Sequence, residues 1–142
     1  MVIVLIELKA EYILELREVL GRFPYYEIYQ GKERAYLLVH AGINATPLAY
    51  KGTPTWKKLR NYQRPKDLLW SRENFYQNKA LEDVHTIFGH TPTFYINGQH
   101  QIWKDRVYGD KTGIDCGVSL NKLNGKLACV NLDTLEAYYQ SR

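Results

Sequence analysis

Two histidines in this sequence each follow a strand-like apolar run and are bordered by small residues. His40 follows Ala-Tyr-Leu-Leu-Val and precedes Ala-Gly, and His90 follows Thr-Ile-Phe-Gly and precedes Thr-Pro. Glycine at a strand end lets the backbone pass closely while the sheet presents an imidazole at its rim. A lone histidine of this kind is more often a packed or capping residue than a ligand. Two in the same context predict a shared metal site, and neutral imidazole suits Mn, Fe, Zn or a similar divalent ion.

Arg72 is a candidate for binding an anionic substrate. It follows the apolar run Leu-Leu-Trp-Ser, which we expect to face a core. A guanidinium fork matches two phosphate oxygens and stabilises the charge that spreads over them in a transition state. The alternative is a surface ion pair with Glu73 or Glu82, which is the commoner fate of an arginine.

Asp115 is the best local carboxylate to complete a metal site, because it follows Gly-Ile and precedes Cys-Gly. We favour the alternative that it forms a turn by accepting hydrogen bonds from nearby backbone amides. A two-metal centre needs bridging carboxylates and further ligands. A complete small metalloenzyme built on His40, His90 and Asp115 is therefore the less favoured hypothesis.

Periodicity and turn residues predict the elements that position these side chains. Apolar residues at helical spacing predict a first helix that ends near Gly21: Leu5, Leu8, Tyr12, Leu16 and Val19. We then expect a hairpin of strands 25–29 and 34–39, a short helix after Pro54, and a helix from Pro65 to Phe75. Asn97-Gly98 predicts a second hairpin between strands 93–96 and 101–103, and a final strand covers 135–139. The pattern predicts one α/β (α+β) domain over residues 1–142, with a mixed sheet and mainly antiparallel strands towards the C-terminus.

The composition excludes several classes of function. The net charge is +4, and the basic residues are scattered among acidic ones, as in Lys104-Asp-Arg106. This is typical of a solvated surface, so we expect no nucleic-acid partner, although the charge favours anionic substrates. The apolar N-terminal run stops at Glu7, too short for a membrane span, so no membrane partner is expected. Two cysteines without paired spacing indicate reduced thiols and a cytoplasmic location.

Four segments, in this order, resemble the C-terminal half of the bacterial Ser/Thr protein phosphatase-like (calcineurin-like) metallophosphoesterases. They are Leu-Leu-Val-His40-Ala-Gly-Ile, Leu-Leu-Trp-Ser-Arg72-Glu, Ile-Phe-Gly-His90-Thr-Pro, and Ile-Asp115-Cys-Gly with the strand that follows. The Gly-His-Thr-Pro and Asp-Cys-Gly pair is the more specific part, and the His-Ala-Gly segment alone is weak. The resemblance spans nearly the whole chain.

This resemblance implies a fold, a site and a reaction. The fold would be the C-terminal half of a four-layer α/β/β/α sandwich. His40 and His90 would ligate one of two divalent metal ions, and Arg72 would bind the phosphoryl group of a phosphorylated substrate and act in catalysis. The reaction would be phosphoester hydrolysis by in-line attack of water at a two-metal centre.

The sequence also departs from the family. The N-terminal motifs Gly-Asp-x-His-Gly, Gly-Asp-x-x-Asp-Arg-Gly and Gly-Asn-His-Glu do not occur in the 142 residues. We therefore expect a truncated domain with little activity by itself, which covers exposed strand edges as a homo-oligomer or by pairing with the missing N-terminal half. The alternative function is a non-catalytic interaction module that pairs with a partner or with itself.

Overall fold

A mixed five-stranded sheet lies at the centre of the computed structural model, which describes residues 10–47, 51–120 and 124–141. Its strands are β1 (Tyr26–Gln30), β2 (Ala35–Val39), β3 (His85–Phe88), β4 (Trp103–Lys104) and β5 (Lys111–Gly113), in the spatial order β1-β2-β3-β5-β4. The central strands β2, β3 and β5 are parallel, and β1 and β4 are antiparallel strands at the two edges. The prediction of an α/β fold with a mixed sheet is confirmed at this level.

A separate antiparallel ribbon covers the second face of this sheet. It consists of β6 (Lys126–Val130) and β7 (Ala137–Ser141). A cavity of about 190 Å³ lies between Ile87 on the sheet and Val130 on the ribbon. The hydroxyl of Tyr29 also donates to Asp133 Oδ2 at 3.3 Å, which ties β1 to the β6–β7 turn.

Short helices cover the first face of the sheet and enclose the main core. They are α2 (Trp56–Leu59), a 3-10 turn at Arg60–Tyr62, α3 (Pro65–Trp70), α4 (Glu73–Tyr76) and α5 (Thr93–Asn97). Alternate residues of β2 point to this face because side chains alternate along a strand. The core consists mainly of the following buried residues: Leu37, Val39, Ile43, Trp56, Leu59, Leu68, Phe75, Leu81 and Phe88. The predicted first hairpin, the short helix after Pro54 and the helix that begins at Pro65 are confirmed.

Two local predictions were wrong. The helix expected from Pro65 to Phe75 is broken at Ser71 and Arg72, where the Ser71 hydroxyl donates to the Asp67 carbonyl and Arg72 has φ −138°. The expected hairpin at Asn97-Gly98 is instead the end of α5. Gly98 has φ 75° and its amide donates to the Phe94 carbonyl. A tight hairpin and a helix C-cap both use glycine in the left-handed region, so the dipeptide cannot tell them apart.

The first helix, α1 (Ala10–Gly21), ends at the predicted glycine. Its predicted apolar face includes Tyr12, Leu16 and Val19, and all three are exposed. Leu5 and Leu8, predicted for the same face, lie outside the described residues. Among the described helices, none has the length and apolarity that a bilayer crossing requires.

Candidate functional site

His40 and His90 lie side by side at the carboxyl ends of β2 and β3. The two strands are parallel with Leu38 opposite Ile87, and the Gly89 amide donates to the His40 carbonyl at 2.8 Å just beyond them. The imidazoles converge, with His40 Nε2 3.1 Å from His90 Nδ1. Ligands of open α/β sheets bind at this end of parallel strands. The two predicted metal ligands are therefore adjacent.

The backbone at His90 has an unusual conformation. His90 has φ 64°, in the left-handed region, and the Thr91 amide donates to the Gly89 carbonyl at 2.7 Å across it. A histidine in this region is uncommon, and such residues cluster at functional sites. The tight turn directs the His90 imidazole sideways towards His40 rather than along the strand.

The surroundings of His90 favour a neutral imidazole. Burial lowers the pKa of His90 below its usual value, and the charge of Arg72 and the neighbouring His40 lower it further. The edge of the Trp70 indole packs against the ring, with centroids 5.2 Å apart. His90 Nε2 is buried and has no hydrogen-bond partner among the described residues. The neutral form is the one that binds metals.

Arg72 lies near this pair, in the break between α3 and α4. It lines an open cleft of about 410 Å³ together with Asn44, Trp70 and Asn74. The guanidinium is exposed, and Glu82, one of its two predicted partners, forms an ion pair with Lys79 at 2.6 Å. The broken helix therefore leaves Arg72 exposed on this cleft, which neither histidine lines, while its charge still acts on His90.

Asp115 follows β5 at the same carboxyl end of the parallel strands, but its oxygens accept hydrogen bonds from the backbone. Its Oδ1 accepts the Gly117 amide at 2.9 Å, and its carbonyl accepts the Thr93 amide at 2.8 Å. These are the contacts of the turn role that we favoured. Within residues 10–47, 51–120 and 124–141, no group of three or more His, Cys, Asp or Glu side chains is arranged to hold a metal ion.

The other histidines lie away from this pair. His85 begins β3, and its Nε2 lies 2.8 Å from Thr112 Oγ1. Burial lowers the pKa of His85, as do the charges of Arg34 and Lys111, while a Gly109 hydrogen bond and Asp110 oppose the shift. His100 stacks on Phe94 with ring centroids 4.9 Å apart, and its Nδ1 is 3.0 Å from the Cys116 carbonyl. Both residues are half-buried.

Two features of the structure were not predicted from the sequence. Trp70 was assigned to the core, yet it is 66% exposed beside His90. Lys111 was not singled out, yet it is fully buried and contacts Asp105 Oδ2 at 2.6 Å and Asp110 Oδ1 at 2.5 Å. Alternating charges in Lys104-Asp-Arg106 suggested a solvated surface, and no pattern in the sequence distinguishes the buried Asp105 from its neighbours.

Comparison of the chain with protein-family models and with curated proteins found no match. The assignment of a function therefore depends on the motifs and on the geometry described above.

Proposed function

We propose that the chain is the C-terminal part of a metal-dependent phosphoester hydrolase of the Ser/Thr protein phosphatase-like group. In its complete form the fold would be a four-layer α/β/β/α sandwich. The observation that carries the proposal is the convergence of His40 Nε2 and His90 Nδ1, 3.1 Å apart, at the carboxyl ends of two parallel strands. The Arg72 guanidinium beside them supplies a group suited to a phosphoryl oxygen.

The spacing of the two imidazole nitrogens fits one shared metal ion. With bonds of about 2.05 Å, two nitrogens lie about 3.3 Å apart at a tetrahedral ion and about 2.9 Å apart at a right angle. The observed 3.1 Å lies between these values, and it is also the length of a hydrogen bond between the two rings. The lowered pKa of His90 keeps its ring neutral and ready to bind. When bound, a divalent ion would supply Lewis-acid activation of water and neutralise charge that develops on the phosphoryl group.

Arg72 would orient the substrate. Its exposed guanidinium and the Asn44 and Asn74 side chains line one cleft, which is open to solvent. A planar fork can donate two parallel hydrogen bonds to the phosphoryl oxygens and hold the phosphorus in line for attack. The same positive charge would stabilise the transition state more than the ground state.

This chain supplies only part of such a centre. Two imidazoles and one arginine provide neither bridging carboxylates nor a general acid, and Asp115 is held in a backbone turn. We therefore expect the remaining ligands to come from residues outside these 142, and the chain alone to have little hydrolytic activity.

Paramagnetic broadening tests whether metal and phosphate bind side by side. Manganese is added to the chain with inorganic phosphate, and the ³¹P linewidth is measured. We expect broadening above a protein-free sample, lost in His40→Ala and His90→Ala and reduced in Arg72→Gln. Arg106→Gln, an exposed arginine elsewhere, is the matched control and should behave as wild type. Equal broadening in all variants would refute the proposal.

A second assay addresses activity. With added manganese, the wild-type chain should hydrolyse an aryl phosphate no faster than the His90→Ala variant does. Turnover abolished by that substitution would mean that this chain builds a working site alone, and that the division of ligands proposed above is wrong.

A further inference from the structure

Strand β1 is an edge strand, and no strand among the described residues pairs with its outer side. It pairs with β2 on one side only and is the first strand in the order β1-β2-β3-β5-β4. The Gly31 amide donates to the Arg34 carbonyl at 3.1 Å across the hairpin turn. Because hydrogen-bonded pairs alternate in an antiparallel ladder, Glu27 and Tyr29 bond to β2. The main-chain groups of residues 26, 28 and 30 therefore point away from the sheet.

A side-chain contact agrees with this assignment. The Ile28 amide donates to Oε1 of Glu27, its own neighbour, at 3.3 Å. An amide bonded to β2 would not be available for this exposed contact. Among the described residues, the Ile28 amide thus bonds only to this exposed carboxylate, which a main-chain acceptor can replace.

The two edge strands of the sheet, β1 and β4, differ in how well they are protected against pairing with another strand. Natural edge strands avoid pairing with another chain because they are short, carry lysine or proline, contain a β-bulge, or are covered by a helix or loop. The β4 edge has only two residues, one of them Lys104, and the adjacent Ile102 amide is bonded to the Tyr139 hydroxyl at 3.1 Å. The β1 edge has five residues, Tyr-Glu-Ile-Tyr-Gln, of which only Glu27 is charged, and it contains neither lysine nor proline.

Exposed apolar side chains surround the β1 edge. Phe23 and Tyr25, which lead into the strand, are 63% and 51% exposed, and Ile28 within it is 37% exposed. The exposed apolar face of α1 precedes them directly. Exposed apolar side chains that lie close together along the chain favour an interaction surface.

We propose that β1 pairs antiparallel with β1 of a second copy of this chain. With Ile28 opposite Ile28 of the other copy, Tyr26 lies opposite Gln30, and the outward main-chain groups of both copies meet in hydrogen-bonded positions. The strand is therefore complementary to itself, and the register places apolar Ile28 against its own equivalent. A two-fold axis through Ile28 would join the two five-stranded sheets into one continuous sheet. The proposal does not depend on the metal site.

Light scattering coupled to size exclusion tests this pairing. We expect wild type to elute at twice the 16.6 kDa chain mass. Ile28→Pro removes the outward amide without removing a bond to β2, and Ile28→Lys adds an edge charge. Both should halve the mass while the far-ultraviolet circular dichroism stays unchanged. Leu127→Lys, on exposed β6, is the matched control and should remain dimeric.

Further variants separate this edge from the α1 face. Glu27→Ala frees the Ile28 amide for pairing, so the dimer should become more stable and dissociate only at lower protein concentration. A monomeric wild type at millimolar concentration would overturn the proposal. A dimer that persists in both Ile28 variants would also overturn it. The same holds if Leu16→Glu on α1 dissociates the dimer while the Ile28 variants remain dimeric.

Discussion

Replacement of Lys111 by methionine should strongly destabilise the fold. The Lys111 side chain is fully buried, and its ammonium bonds to Asp105 Oδ2 at 2.6 Å and Asp110 Oδ1 at 2.5 Å. Burial by itself raises the pKa of Asp105, but the Lys111 hydrogen bond and two backbone amides outweigh it and hold that pKa below its usual value. Methionine keeps the length of the side chain and removes the charge, which leaves the two buried carboxylates without the ammonium that bonds to both.

Breaking a buried ion pair by removing one partner costs about 3–5 kcal/mol. The remaining donors do not prevent this loss, because the amides of Val107 and Ala80 already bond to the carboxylates in the wild type. In a domain of this size, each kcal/mol shifts the thermal midpoint by about 2–4 °C, so we expect a decrease of about 6–20 °C.

Urea unfolding and thermal circular dichroism measure the effect. Lys104→Met removes an exposed lysine from the neighbouring strand and should change stability by less than about 0.5 kcal/mol. Asparagine at both 105 and 110 in the Lys111→Met background removes the stranded charges and should recover at least half of the loss. A Lys111→Met variant within about 1 kcal/mol of wild type would refute the argument that this cation is required.

Three other predictions concern the turns and the sheet. His90→Val should be about 1–2 kcal/mol less stable to urea than His90→Asn, since asparagine tolerates positive φ and a β-branched residue does not; equal stabilities would contradict the left-handed turn. The pKa of His85 is lowered from 6.5, so the unfolded chain binds the proton more tightly and stability should fall as pH drops below 6.5. His85→Gln should make this loss of stability at low pH shallower. An unchanged dependence of stability on pH would contradict the lowered pKa of His85. Gly42→Ala should lower the thermal midpoint more than Gly98→Ala does. A Cβ at Gly42 would lie 2.4 Å from the Phe75 ring, whereas a Cβ at Gly98 meets nothing within 4 Å. Equal losses of stability would show that the positive φ alone, and not the contact with Phe75, determines the cost.

Much of the local structure follows from the sequence. Pro65 begins α3 because its fixed φ suits the first helical turn, and Gly21 ends α1. The first hairpin follows from two strand-like runs, 25–29 and 34–39, on either side of the polar turn Gln-Gly-Lys-Glu. Local patterns predict such elements because the interactions that form them lie within a few residues.

The site was predictable only in part. The context of His40 and His90 indicated strand ends, but their 3.1 Å approach depends on the parallel pairing of β2 with β3, which joins residues far apart in sequence. The exposure of Trp70 was not predictable either, because the apolar pattern continues past Ser71, where the backbone leaves the helix with ψ 142°. Burial of Lys111 requires both aspartates at once, and no local pattern contains that information.

Titration of the chain with Zn²⁺ by isothermal calorimetry tests the central claim most directly. If His40 and His90 form half of a metal centre, wild type should bind one equivalent, and His40→Ala and His90→Ala should each abolish the heat of binding. His100→Ala, which removes a histidine bonded to the Cys116 carbonyl, should bind as wild type does. Binding that persists in both the His40 and His90 variants, or that only His100→Ala removes, would contradict the account.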